Sequence, residues 1–359
     1  METAAKKITI LHIDTGLDWR GGQRQSLELH KRLLKQNINS IMAVNKDGEQ
    51  LKFAKENNID NIYGFSFKGE LSKFSANELL RIFHKIKPNI VHCHDSHSVS
   101  LSKQFKKRSL ICHTRRVSYP IGIFSRFFKY KYINCHFGVS EEISNYLRQY
   151  FEKVVTINSC VDTKRFENIT LQSPLQNSKR VKLIFVGAFS AQKGLDILIY
   201  AFSKIRKEFE DISLHLVGDG PLLYDIKKLC TKLNINNCVH FYGSQRKVEP
   251  YYLASDIVIS PSVNGEGSNG VIKEAMAAKK VIVASDIEAN KELIEDKKNG
   301  FLFKSGDVES LTHTLKNILS RKIILKKEIV ASNAEKFCCN KMTSSYINSY
   351  YHLLEKYGS

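Results

Sequence analysis

Glu266 and Glu274 stand with seven residues between them in the stretch SPSVNGEGSNGVIKEAMAAKK. The first follows Gly265, in a loop after the buried-strand pattern DIVISPS. The second falls about two turns into a helix expected to start near Ser268–Asn269. A strand, an acid bracketed by glycines (Gly265 and Gly267) and a helix N-terminus together suit a phosphorylated ligand. The N–H groups of Asn269, Gly270 and Val271 can face an anion, with the positive end of the helix dipole behind them. Glu274 then reaches a neutral polar group beyond the phosphates, such as a ribose diol. Glu266 reaches a sugar hydroxyl on the other side.

Two further loops suit related chemistry. DTGLDWRGGQRQSLELH follows the first strand, and Gly21 and Gly22 in it let backbone approach a ligand closely. It is not G-x-G-x-x-G, so the dinucleotide fingerprint is missing. In VGAFSAQKG (186–194) a strand ends at Gly187 and Lys193 stands just before a helix, where a lysine can neutralise a diphosphate. HCHDSH (92–97) carries imidazoles and a carboxylate of the kind that hold zinc. The same residues equally suit a strand-end loop whose histidines hydrogen-bond to neighbours or substrate.

These loops need strands to end at them, and the sequence supplies the strands. KITILHI, SIMAV, NIYGF, NIVHCH, SLICHT, INCHFGV and KVVTI alternate with amphipathic stretches such as 23–35 and 77–87. The rhythm lapses over 162–180 and restarts with VKLIFVG, SLHLVGDG, CVHFYG, DIVISPS, KVIVAS and GFLFK. Strands separated by helices predict two doubly wound parallel sheets, each binding ligands outside its strands' carboxyl ends.

Composition narrows the classes. The chain has 359 residues, enough for two cores, with ordinary hydrophobic and charged content for a globular protein. It has no apolar run long enough for a membrane-spanning helix, and METAAKK lacks the apolar core of a secretory signal. Its eight cysteines are scattered and form no C-x-x-C pair, so neither a disulfide framework nor a zinc ribbon is indicated and a reducing cytoplasm is the simplest home. The net charge of +19 favours an anionic partner. From Ser96 to Ser140 there is no Asp or Glu, while Lys103, Lys106, Lys107, Arg108, Arg115, Arg116, Arg126, Lys129 and Lys131 mix with aromatic residues there. This basic 103–132 region reads as a solvated face, a nucleic-acid surface without a recognised motif, or a dock for an anionic inner-membrane leaflet.

Taken together the loops resemble glycosyltransferase family 4, the retaining transferases of the GT-B fold, over nearly the whole chain. The likeness rests on the glycine-pair loop, the Lys-Gly segment ending at 194, VGDGP (217–221), YLASDIVISPS (252–262) and the Glu266…Glu274 pair followed by Ala-Met-Ala. It implies an α/β protein with two Rossmann-like domains facing across a cleft. The implied parts are an acceptor-binding domain over 1–165, a linker over 166–180, a nucleotide-sugar domain over 181–340, and a helix over 341–359 packing back on the first domain. Glu274 is then expected to hold the ribose and Glu266 the donor sugar. Lys193 faces the diphosphate beside Gly187 and the backbone of Gly267, Ser268, Asn269 and Gly270. Gly22 lets the first domain approach the donor phosphate, and His113, in CHT, touches the donor sugar. His113, Glu266 and Lys193 form the expected catalytic set, and Arg115 and Arg116 are candidates for acceptor phosphates or acidic sugars. The resemblance implies transfer without metal or other cofactor.

Two positions depart from the family pattern. Ala188 stands where many members have arginine, and Asn158-Ser159-Cys160-Val161-Asp162 replaces the usual Asn-Gly-Val-Asp. The expected function is transfer of a sugar from a nucleotide diphosphate, most simply UDP-linked, to a membrane-associated glycan or lipid-linked acceptor. Its setting would be bacterial surface polysaccharide or lipopolysaccharide synthesis, in the cytoplasm or on the inner face of its membrane, with no nucleic-acid partner. The alternative is an inactive nucleotide-sugar or glycan-binding module of the same fold, motivated by Ala188.

Overall fold

The computed structural model describes residues 8–167, 175, 181–320 and 333–357. Most of the expected linker 166–180 and the METAAKK start lie outside them. The chain divides into two compact units, Met1–Ser159 with Cys339–Ser359, and Cys160–Cys338.

In the first unit seven parallel strands alternate with helices: β1 (Thr9–Asp14), β2 (Asn39–Asn45), β3 (Ile62–Phe65), β4 (Ile90–Cys93), β5 (Leu110–Arg115), β6 (Cys135–Gly138) and β7 (Val154–Thr156). Their order is β3-β2-β1-β4-β5-β6-β7. The second unit has six: β8 (Val181–Val186), β9 (Ile212–Val217), β10 (Val239–Phe241), β11 (Ile257–Ser260), β12 (Val281–Ser285) and β13 (Phe301–Phe303), ordered β10-β9-β8-β11-β12-β13. Every strand expected from the sequence is present. Both sheets reverse winding direction once, between β1 and β4 and between β8 and β11. The crevice outside such a switch point is where doubly wound sheets bind ligands.

The second sheet packs an apolar core on each face, with Ser213 and His215 of β9 buried and hydrogen-bonded on one of them. Leu183 and Phe185 of β8 join one core with Leu198, Phe202 and Leu311. Ile184, between them, points into the other with Tyr252, Ile272 and Met276. The first sheet is asymmetric. Leu11, Ile13, Val91, Cys93 and Ile111 make an apolar face with Phe83, Phe105 and Leu147. The opposite face carries His12, His92, His94 and Thr114, all buried.

That polar face explains the fate of the C-terminus. The Cys339–Tyr357 helix belongs to the first unit, as the resemblance implied, and it brings partners for buried polar groups. Tyr350 OH lies 2.6 Å from His92 Nδ1, Thr114 Oγ1 lies 2.7 Å from His92 Nε2, and Tyr346 OH lies 3.1 Å from Thr114 Oγ1. One expected boundary moves. Residues 160–165 go with the second unit, since Val161 N–H donates to Phe337 O, Phe166 enters that unit's core, and Arg165 pairs with Glu249.

Tyr350→Phe keeps the ring and removes only the hydroxyl. Leaving buried His92 with one nitrogen unsatisfied is expected to lower stability by about 1–3 kcal/mol, read as a shift of the urea midpoint. An unshifted midpoint would show that the hydroxyl does not tie the last helix to the sheet.

Candidate active site

At the second switch point the chain leaves β8 and β11 side by side. After β8 a short turn, Ala191–Lys193, ends at Gly194 with φ of 59°. A Cβ there would sit 2.2 Å from the Pro261 carbonyl oxygen, so only glycine lets this turn close on the loop after β11. Val263 N–H donates to Gln192 O at 2.8 Å and stitches the two loops together. Lys193 is thereby delivered to Glu266: Nζ donates to Oε1 at 2.5 Å, and Ser262 Oγ donates to the same oxygen at 2.6 Å. Two site residues named from sequence, 73 positions apart, form one partly buried ion pair.

The helix that follows is Gly270–Ala277, with Asn269 as its N-cap. Glu274 is its fifth residue, so it lies just over one turn in, not two. The Asn269 side chain does not cap the helix. It is buried and donates instead to Ser260 Oγ at 2.8 Å and Asn290 Oδ1 at 2.9 Å. Asn290 in turn donates to Ser285 O, and Ser285 Oγ to Ser262 O. The first-turn N–H groups have no intrahelical acceptor by construction. With the cap side chain engaged elsewhere, no side chain from Asn269 covers the positive helix end; Gly267 and Asn269 are buried there and Ser268 is half-buried. Gly270 is exposed and a Cβ there would meet open space.

Glu274 is held by residues the sequence reading did not name. Tyr252 OH donates to its Oε2 at 2.9 Å, and Arg165 Nη1 lies 3.9 Å from its Oε1. Arg165 also donates from Nε to Glu249 Oε1 at 2.5 Å, and the two carboxylates raise its pKa despite burial. Tyr252 was within reach of the sequence, since it opens the YLASDIVISPS segment, but its contact with Glu274 crosses 22 residues. Ala188 is exposed beyond Gly187.

In the first unit the glycine loop leads into the Gly21–Lys35 helix, whose N-cap Arg20 offers no capping side chain. Buried Asp14 and half-buried Asp95 hold this loop. Asp14 accepts from Gly16 N–H, Gln23 and Ser26, and Asp95 from Thr15 N–H and Oγ1. A Cβ on Gly22 would lie 3.4 Å from Arg116 Cδ, so these two expected site residues do meet. Arg115 does not join them. It is buried, donates to Tyr119 O, and lies over the Tyr146 ring. His113 is 2% exposed on the apolar face of the sheet, its Nδ1 3.3 Å from His136 Nδ1 and its ring against Tyr130. The segment following β5 covers it, so in this structure it presents no open edge to a ligand.

The HCHDSH segment divides. His97 pairs with Glu70, and Asp95 caps the Ser96–Ser102 helix. His92 and His94 instead meet His12, which parallel register places opposite His92 on β1. One nitrogen from each of the three lies within 4.8 Å of the others. Their hydrogen bonds define the tautomers. Arg116 can only donate, so His94 Nδ1 accepts from it at 3.0 Å and His94 Nε2 carries the hydrogen toward His12 Nδ1, 2.9 Å away. Burial, and the neighbouring Arg116 charge, hold all three imidazoles well below their usual pKa and so neutral. An ion at this trio would have to displace the shared hydrogen and the Tyr350 or Thr114 bond of His92.

A model described as glycosyl transferases group 1 matches residues 167–337, and one described as Glycosyltransferase Family 4 matches 19–165. The chain is a family 4-type glycosyltransferase. An uncharacterized glycosyltransferase of Methanocaldococcus jannaschii is 28% identical over 292 residues, 77% of this chain and 72% of that one. Phosphatidyl-myo-inositol mannosyltransferase of Mycobacterium leprae is 29% identical over 157 residues, 43% of this chain and 41% of that one. Among solved structures, Anabaena HepE in complex with UDP-glucose superposes with a TM-score of 0.83 at 18% identity, covering 96% of this chain and 100% of the other. The fold of the chain is therefore GT-B, as the sequence implied.

Tyr252→Phe removes one hydrogen bond that orients Glu274 and leaves the ring in its core. It is expected to raise the donor KM several-fold, about 1 kcal/mol for one such bond, with little change in kcat. Equal loss in both parameters would place Tyr252 elsewhere in the reaction.

Proposed function

We propose that the protein transfers a sugar from a nucleoside diphosphate, with retention of anomeric configuration, to a lipid-linked or membrane-associated glycan. The observation that carries the donor half is the uncapped Gly270 helix start, with the Lys193–Glu266 pair on one side and Glu274 on the other. A diphosphate placed there meets backbone donors, the helix dipole and Lys193. Glu274 is one helical turn further on, at the reach of a ribose diol. As the sugar departs, negative charge grows on the diphosphate, and donors fixed in advance stabilise that charge without reorganising. Lys193 is shared with Glu266 before the anion arrives, so its charge can turn from carboxylate to phosphate. Retention by front-side attack, assisted by the leaving phosphate, requires no carboxylate nucleophile, which leaves Glu266 to orient donor hydroxyls. These steps need no metal. The solved HepE complex with UDP-glucose supports a UDP-linked donor.

The acceptor half is carried by the first unit. The basic 103–132 region separates in the structure. Lys106, Lys107 and Arg108 are exposed just before β5, at the amino-terminal edge of the sheet. Val117 to Lys131 follow the carboxyl edge, where Phe124, Phe127 and Phe128 are 81%, 64% and 69% exposed, with Ile123 beside them. Phe105 and Tyr130 are core residues instead. A short segment that exposes three phenylalanines beside Arg126 and Lys131 suits the interface of an anionic leaflet, with Lys129 taken up by Glu70 at 2.8 Å, and we propose the membrane contact there. No helix among the described residues is long and apolar enough to cross a membrane. The lipid named in the mannosyltransferase relative agrees with an acceptor presented at such a surface. A bacterial surface-glycan pathway and a site on the inner face of the cytoplasmic membrane belong to this same proposal.

A thermal-shift panel of UDP-, GDP-, ADP- and CMP-sugars tests the donor. A ligand at about a hundred times its Kd stabilises by about 2.7 kcal/mol. The expected result is a shift with one nucleotide that Glu274→Ala abolishes without altering the unliganded melt. A shift that persists in the variant would remove Glu274 from the site. Phe124→Ser combined with Phe127→Ser and Phe128→Ser is expected to reduce binding to vesicles containing phosphatidylglycerol while sparing donor binding. Undiminished vesicle binding would refute this membrane face.

A further inference from the structure

Lys273 is the residue just before Glu274, and its side chain is fully buried. Helical side chains lean toward the helix N-terminus, so the amine of Lys273 ends beneath the first turn of Gly270–Ala277. There Nζ donates to Ser268 Oγ at 2.5 Å and lies 4.8 Å from the centre of the Phe337 ring. A buried cation at the positive end of a helix dipole is in an unfavourable field. Glu292, at the end of the Glu288–Lys291 helix, is the carboxylate whose charge opposes this. Arg165, from another element packed on the helix, faces Glu274 and pairs with Glu249 instead. Burial pushes the amine down to about 7. An anion outside the helix start would relieve the same field that the dipole and the desolvated amine create together.

We propose that Lys273 is a positioning residue of the donor site, holding Ser268 so that the Ser268–Gly270 backbone donors face the diphosphate, and adding its charge from beneath the helix when protonated. This rests on the donor reading above. Linkage fixes the sign. An anion binds the protonated form better, so donor affinity is highest below the free amine's pKa and declines as pH rises through it. Sugar nucleotides suit the test, because their diphosphate has no proton to lose in that range.

The test is calorimetric Kd of the nucleotide sugar found in the panel, from about pH 6 to about pH 9, for the wild type and Lys273→Met. The wild type is expected to weaken above neutral pH. Lys273→Met is expected to bind about tenfold more weakly at the acid end, with a flat profile. Its unliganded melt should be no lower than wild type, since a thioether is buried more readily than an amine. Should that variant not fold, Ser268→Ala gives the second reading, with Lys273 in place: weaker donor binding and a displaced pH midpoint. Wild-type affinity and pH profile in Lys273→Met, or in Ser268→Ala if only that variant folds, would overturn the inference and leave the donor site standing. Failure of every nucleotide sugar to bind the wild type would instead overturn the donor reading, and this inference with it.

Discussion

The buried Asn269 side chain is the constraint on which the second unit's chemistry depends. It spends its two donors on Ser260 and Asn290, and Asn290 is anchored to Ser285. This network fixes where the Gly270 helix begins and removes the one side chain that could have capped it. An N-cap asparagine ordinarily stabilises its own helix by about 1 kcal/mol. Here that contribution is given up, and the first-turn donors remain for a ligand. Lys193, Glu266 and Glu274 take their positions from the same loop and helix.

The first unit solves a different problem. Its sheet has one apolar face and one lined with histidines and a threonine, and buried polar groups need partners. The last helix supplies Tyr346 and Tyr350, and Arg116 supplies the donor for His94. A chain of hydrogen bonds then runs from Arg116, beside Gly22, into the sheet, and it holds that arginine at the carboxyl edge. Stability and site geometry share these residues.

Much of this was legible in the sequence for local reasons. Short runs such as DIVIS and KVIVAS, bounded by turn residues, have the length and β-branched content of buried strands, and their alternation with helices gives parallel sheets. Glu266, Glu274 and Lys193 were legible because glycines, a strand end and a helix start surround them within a few residues. What was not legible came from contacts distant in sequence. His12 joins His92 and His94 through strand register alone, and Tyr252 and Arg165 reach Glu274 from other elements. Strand parity decided His113: Ile111 points into the apolar core, so His113 does too, away from Thr114 and His92. The basic stretch reads as one patch by charge alone, but the expected strand SLICHT, β5, divides it between the two ends of the sheet.

A crystal structure of the protein with its nucleotide sugar tests the central claim most directly. The account predicts diphosphate oxygens within about 3 Å of the backbone nitrogens of 268–270 and of Lys193 Nζ, with the ribose hydroxyls on Glu274. A nucleotide bound away from the Gly270 helix start, with Glu274 still engaged only by Tyr252 and Arg165, would contradict it.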